Sequence, residues 1–182
     1  MLKHQLIEDC LANNRKAQLE LYNSYCDGMF IVASRFLRDS AEAEDAMQEA
    51  FIKAFSKLHQ FSGEVTFGAW LKKIVINKCL DHLKAKKLEF VAINEQVLEK
   101  VEDESNDWLV DDEIGVEDVK TEINDLPEKY KYPLMLYLIE GYDHEEISEI
   151  LKITQVASRT LVHRGKQKLQ EKLKVLKNGT RY

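Results

Sequence analysis

The chain has 182 residues, of which 45% are apolar and 32% charged, with a net charge of −6. That composition suits one large soluble domain or two small ones with packed cores, and no run approaches the roughly 20 apolar residues that cross a bilayer. The start, MLKHQLIEDC, carries acids where a secretory leader needs an apolar stretch, so a cytoplasmic protein without membrane insertion is expected. Cys10, Cys26 and Cys79 are widely spaced and form no CxxC pair, which argues for reduced thiols rather than a zinc site or a disulfide framework. Two prolines and seven glycines in the whole chain point to an all-α fold.

Residues 3–27 read as a helix or a helix pair, with a break expected at Asp27-Gly28. Met29–Leu37 then reads as a core helix. Ser40–Leu58 is an amphipathic helix. Ala43, Ala46, Met47, Ala50, Phe51, Ala54, Phe55 and Leu58 form its inner face, and Asp45, Gln48 and Glu49 lie on its outer face. Its acids cluster in the first half, which suits the helix dipole and equally suits a docking face for a basic or amide-rich partner.

The stretch Phe61–Lys87 opens as a loop around Ser62-Gly63 and becomes a helix at about Phe67. Trp70, Leu71, Ile74, Val75, Cys79 and Leu83 give it an apolar stripe. The window 71–87 carries six lysines against the single acid Asp81, a local reversal of the overall sign. The rings of Phe61, Phe67 and Trp70 stand just before Lys72 and Lys73. Rings beside a cationic helix are what single-stranded nucleic acid requires, because every base offers a face to stack and every phosphate needs a counter-charge. On its own, this window also fits an ordinary amphipathic helix with a solvated lysine face and Trp70 in the core.

Residues 88–126 hold two lysines against fourteen acids. Their first part lacks a sustained period and reads as an acidic tether at 89–116, in which Trp108-Leu109-Val110 could touch a domain surface. A helical pattern resumes through Val119, Ile123 and Leu126. Pro127 then suits the first turn of a helix PEKYKYPLMLYLIEG, in which Pro133 should kink the first turn or mark the true start, and Gly141 ends it.

Asp143 followed by Glu146 has the form of a capping box opening a short helix, His144–Leu151. Lys152-Ile153 makes a turn, and Thr154 is the next N-cap candidate. A long helix follows from Gln155 to about Val175, with Val156, Leu161, Val162, Leu169 and Leu173 inward. Residues 152–182 hold nine basic groups against Glu171 alone. A short helix, a tight turn and a longer basic helix outline a helix-turn-helix, whose last helix would enter a major groove. A helical hairpin with a solvated basic face is the plainer alternative.

At this point the residues resemble a known family. Within Ala43–Lys87 stand DAMQEAFIKAF and a pattern FxGxxxFxAWLxxIxxN, and within Leu126–Leu173 stands LPxxY…GYxxEEIxEIL. In this order they resemble regions 2 and 4 of extracytoplasmic-function (ECF) RNA polymerase sigma factors. The resemblance implies two small helical domains, region 2 at 1–88 and region 4 at 117–182, joined by the acidic linker. It implies a subunit that binds core RNA polymerase and directs it to promoters. Region 2 would take the minus-ten element as single strand, and region 4 would read the minus-thirty-five element as duplex. Asp45, Gln48 and Glu49 would then meet polymerase. Phe61, Phe67, Trp70, Lys72, Lys73 and Asn77 would hold the melted strand, the loop cradling a flipped base. Thr154, Arg159, Thr160, His163, Arg164, Lys166 and Lys168 would contact duplex DNA. An anti-sigma factor is a common further partner in the family, and no cofactor, metal or catalytic residue is implied.

The sequence departs from the family pattern at Lys152, Ser158, Leu161 and Gly165, which bears on the promoter that region 4 reads. A helix-turn-helix regulator that never joins polymerase would share the basic helix but has no need of the aromatic loop. An enzyme built on His144, Glu145, Glu146 and His163 is disfavoured: the HExxH spacing fails at Ser148, and the two glutamates are explained as helix-start acids.

Overall fold

The structure, a computed structural model, describes residues 2–86 and 115–179, with side chains described at 5–85 and 115–176. Apart from Gly115 and Val116 the tether lies outside the described residues, Trp108-Leu109-Val110 included. The chain divides into two compact units, Met1–Ala92 and Ile93–Tyr182. Every described regular element is helical.

The first unit contains α1 (Leu2–Leu11), α2 (Arg15–Phe36), α3 (Ser40–Ser56) and α4 (Phe67–Lys86). The break between the first two helices falls at residues 12–14, not at Asp27-Gly28. Asn13 takes a left-handed φ of 60°, and Asn14 caps α2 by accepting from the backbone N–H groups of Lys16 at 3.0 Å and Ala17 at 3.4 Å. Asparagine tolerates both roles, since its short amide can bond locally to the backbone. Helix α2 runs unbroken through Gly28. A mid-helix glycine costs about 1 kcal/mol, and burial of Leu21, Met29, Val32, Ala33 and Phe36 along one side of the same helix outweighs it.

Helix α3 starts at Asp39, whose carboxylate accepts from the Glu42 N–H at 3.0 Å. It buries Ala43, Ala46, Met47, Ala50, Phe51 and Ala54, the small residues letting α2 and α4 approach closely. Helix α4 buries Leu71, Val75, Ile76, Cys79 and Leu80 rather than the narrower stripe expected, so Ile76 and Leu80 replace Ile74 and Leu83 as core residues. Burial pushes the Cys79 thiol up to about 12, so it stays protonated and acts as a small apolar group.

The second unit contains α5 (Val116–Asn124), α6 (Glu128–Leu138), α7 (His144–Leu151) and α8 (Gln155–Gly179). Helix α8 packs against the other three. Helix α6 begins directly after Pro127, and Pro133 lies inside it rather than at its start. The N–H that proline lacks costs one helical bond, while Tyr130, Tyr132, Leu134, Met135 and Leu136 around it are all buried. Gly141 reverses the chain with φ +77°, a conformation that glycine adopts without strain.

Gly165 sits in α8 where it meets α6. A Cβ built there would lie 3.5 Å from Leu134 Cβ and from the Tyr130 carbonyl oxygen, an ordinary contact. Gly165→Ala is therefore expected to stabilise the second unit by up to about 1 kcal/mol, read as a rise in the chemical-denaturation midpoint. A fall would mean that the added methyl disturbs the packing of α6 on α8.

Candidate nucleic-acid interface

In the first unit the loop before α4 is shaped by local hydrogen bonds. Gly63 takes φ +79°, the Ser62 hydroxyl accepts from the Glu64 N–H at 3.4 Å, and Thr66 Oγ1 accepts from the Ala69 N–H at 3.2 Å. Thr66 is thus the N-cap of α4, and the aromatic residues beside it are fixed by mutual packing. Ring centroids are 5.8 Å apart for Phe61 and Phe67, 5.5 Å for Phe61 and Trp70, and 5.7 Å for Phe67 and Trp70. Tyr25 of α2 closes the cluster edge-on to Phe67 at 5.2 Å. Sequence reasoning missed Tyr25. A clue was Gly68, where an added Cβ would come 3.0 Å from Tyr25 Cε1, so the bare backbone is what admits the ring.

The structure brings Phe61, Phe67, Trp70, Lys72, Lys73 and Asn77 onto one loop-and-helix segment but separates their roles. Phe67 is buried and supports its neighbours. Phe61 and Trp70 are half-buried, with ring surface to offer. Asn77 donates its amide to the Lys73 carbonyl at 2.8 Å, which ties it to the helix that carries the lysines.

The outer face of α3 carries Asp45, Gln48 and Glu49, all exposed. Ile52, 71% exposed, continues the same stripe at three- and four-residue spacing and was not singled out from sequence. An isoleucine in the middle of a polar face is the signal that could have found it. Gln48 donates to Glu44 at 3.1 Å. Glu49 Oε2 accepts from Lys78 at 3.0 Å and lies 3.5 Å from His82 Nε2, both of α4. The Lys78 hydrogen bond holds the Glu49 carboxyl below its ordinary range.

In the second unit α7 is framed by a full capping box. Asp143 Oδ1 accepts from the Glu146 N–H at 2.8 Å, and Glu146 Oε2 accepts from the Asp143 N–H at 3.0 Å. The helix ends at Lys152 in the left-handed region, φ 58° and ψ 49°, where a non-glycine residue costs roughly 1 kcal/mol. Thr154 Oγ1 then caps α8 by accepting from the Ala157 N–H at 3.1 Å. Short helix, tight turn and long helix form the helix-turn-helix outline.

Two expectations for α8 are corrected. Thr160 is 1% exposed and donates its hydroxyl to the Val156 carbonyl at 3.0 Å, so it is a core residue and not a DNA contact. Val156 is 44% exposed and faces out, while Ala157 and Ser158 take the inward positions. The reason is the helical phase: packing Leu161, Val162 and Leu169 inward turns 157 and 158 in and leaves 156, 159 and 163 on the outer side. Buried Ser158 is satisfied by His144 Nδ1 at 3.1 Å, and the His144 ring stacks on Tyr137 at 5.0 Å. That explains a serine where an aliphatic residue is common in the family.

Arg159 and Lys168 are exposed, and His163, Arg164 and Lys166 are half-buried. Lys166 Nζ lies 4.6 Å over the Tyr137 ring and Lys168 Nζ 5.7 Å over Tyr130; burial lowers the Lys166 pKa. Among the described residues no group of three or more His, Cys, Asp or Glu side chains could hold a metal ion, and no helix is long and apolar enough to cross a membrane.

One unit with an aromatic and lysine-bearing segment and a second with a basic helix-turn-helix define a DNA-binding transcription protein of the sigma class. The sigma-70 region 2 profile matches residues 21–89 and the sigma-70 region 4 profile residues 117–169. The chain belongs to the ECF sigma factors: it is an alternative sigma factor, which binds core RNA polymerase and directs promoter-specific initiation.

Among its relatives, the ECF RNA polymerase sigma factor SigW of Bacillus subtilis is 27% identical over 97% of this chain and 99% of its own. The RNA polymerase sigma-H factor of Pseudomonas aeruginosa is 29% identical over 94% of each chain. In fold, the chain is similar to the sigma factor RpoE of Bartonella quintana, solved in complex with the anti-sigma factor NepR, with TM-score 0.57 and 22% identity over 86% of this chain and 96% of that one. It is also similar to CnrH, solved with the cytosolic domain of CnrY, with TM-score 0.56 and 18% identity over 93% of this chain and 96% of that one.

Proposed function

We propose the following division of labour for this sigma factor. Residues 1–88 dock on polymerase and hold the melted minus-ten strand, 89–116 act as the tether, and 117–182 read the minus-thirty-five duplex. The docking face is Asp45, Gln48, Glu49 and Ile52, two acids and an amide with an apolar side chain at the end of the stripe. Phe61 and Trp70 offer faces for stacking, Phe67 buttresses them, Lys72 and Lys73 neutralise phosphates, and Asn77 steadies the Lys73 turn. Unpairing costs a few kcal/mol, which base stacking and pocket contacts offset.

In the second unit Arg159 and His163 reach base edges, and Val156 beside them suits a thymine methyl. Thr154, Arg164, Lys166 and Lys168 hold the phosphates at the ends of that surface. The helix-turn-helix carried by a sigma region 4 match is the single observation on which this duplex reading rests. One similar structure is a complex with an anti-sigma factor and another a complex with the cytosolic domain of a second protein, which supports an anti-sigma partner for this chain too, acting in the cytoplasm.

The test is reconstitution. Core polymerase with the purified chain should initiate from a small, related set within a random promoter library, and core alone should not. Initiation with no promoter preference would overturn the assignment of the two DNA-reading surfaces.

A further inference from the structure

Helices α7 and α8 of the second unit meet through a polar contact. Ser158 is 0% exposed at the end of the first turn of α8, and its hydroxyl lies 3.1 Å from Nδ1 of His144, the first residue of α7. A helical serine can return its hydroxyl to its own backbone instead. Thr160, two residues on, does so, donating to the Val156 carbonyl at 3.0 Å. The Ser158 hydroxyl reaches across to another helix. His144 is itself held on two sides. The Asp143–Glu146 capping box fixes the backbone beside it, and its ring stacks on Tyr137 of α6, centroids 5.0 Å apart and planes 18° from parallel. Lys166, about two turns past Ser158, places Nζ 4.6 Å over the same Tyr137 ring. Tyr137 and His144 together therefore hold α8 at two points along its length.

We propose that His144 is a positioning residue for promoter recognition: by holding Ser158 it sets the roll of α8 about its own axis, and so which side chains meet the base edges of the duplex. The proposal rests on the duplex reading of the second unit given above. A contact between aliphatic side chains is non-directional and tolerates a small roll. A hydrogen bond weakens steeply with angle and distance, so it does not. Roll matters here because Arg159 follows Ser158 directly, and Val156 lies on the same outer side. A helix with its side chains has a radius of about 5–6 Å, so a roll of about 20° carries a side-chain tip about 2 Å. Hydrogen bonds to a base edge hold over a spread of only about 0.5 Å. Lysine meets phosphate as a mobile point charge on a flexible stem, so Lys168 is far less sensitive to the same roll.

The experiment uses the full chain assembled with core polymerase. Its duplexes carry the preferred minus-thirty-five sequence, the single-base variants of that sequence, or a random sequence of equal length. The wild type should favour the preferred duplex by roughly tenfold over variants at the position Arg159 reads. His144→Phe keeps a ring to stack on Tyr137 but offers Ser158 no hydrogen bond. Its discrimination should fall below about threefold, while binding to random duplex and the salt dependence stay as in the wild type. His144→Asn places an amide near the position of Nδ1 and should restore most of the discrimination. Adding Ser158→Val to His144→Phe removes both polar groups. It should recover the denaturation midpoint, because no buried hydroxyl is then left unpaired, but not the discrimination.

Unchanged discrimination in His144→Phe overturns the proposal. So does an equal loss of binding to preferred and random duplexes that the double variant cures, since His144 would then act on stability alone. Arg159→Ala separates the two readings. If it loses discrimination while His144→Phe keeps it, only the positioning role falls. If Arg159→Ala keeps the ranking as well, the duplex reading falls with it.

Discussion

Asp45→Lys is expected to abolish co-purification with core polymerase while leaving the first unit folded. The side chain is exposed on α3, and the helix is held by the opposite face, where Ala43, Ala46, Met47, Ala50, Phe51 and Ala54 are buried. Surface substitutions of this kind usually change stability by less than about 0.5 kcal/mol. Its binding effect is larger, because a reversed charge within a docked face loses its own pairing and opposes the partner's charge. Such changes cost about 2–5 kcal/mol, or roughly thirtyfold to several thousandfold in affinity.

Ile52→Asp probes the same face by a different route. It removes an apolar contact and puts a carboxylate in its place within the interface, at a cost of about 2 kcal/mol or more. Circular dichroism and thermal unfolding should show both variants folded. Normal holoenzyme formation by Asp45→Lys would remove α3 as the docking surface, and normal binding by Ile52→Asp alone would confine the contact to the helix's first half.

Arg159→Ala should cost about 1–3 kcal/mol of discrimination between promoter variants, and Lys168→Ala should weaken all duplexes alike. The distinction follows from position. Arg159 lies in the second turn of α8, exposed beside Val156 and His163, where a recognition helix presents side chains to base edges. Lys168 lies two turns further on, over the Tyr130 ring. A phosphate contact carries no sequence information but releases counter-ions, so its loss should reduce the slope of log affinity against log salt by about 1. Titrations of a minus-thirty-five duplex and its single-base variants at several salt concentrations read both quantities. An unchanged ranking of variants in Arg159→Ala would take that residue out of base recognition.

The helices were legible because their signals are local. Asp143 and Thr154 cap where the pattern places them, and the inner face of α3 follows from its own spacing. The misplaced break at Gly28 shows the limit of such reading. A glycine's intrinsic cost is a property of the residue, but whether a helix continues through it depends on what its neighbours bury. The reading of α8 failed at Val156 and Thr160 for a related cause. A helix flanked by apolar and basic residues on several sides permits more than one phase, and contact with α6 and α7 selects the one that hides Thr160 and exposes Val156.

The sequence by itself determined the helical class, the reversal of charge along the chain, and the order of motifs that marks a sigma factor. Each depends on residues close together in the chain. Only the tertiary structure decided that Tyr25 braces the aromatic loop, that Ser158 is satisfied by His144, and that Ile52 stands exposed on the same face as Asp45, Gln48 and Glu49. Those relations join residues from different helices or depend on which side of a helix is covered. No periodicity within one segment specifies them, because they are set by how the helices pack.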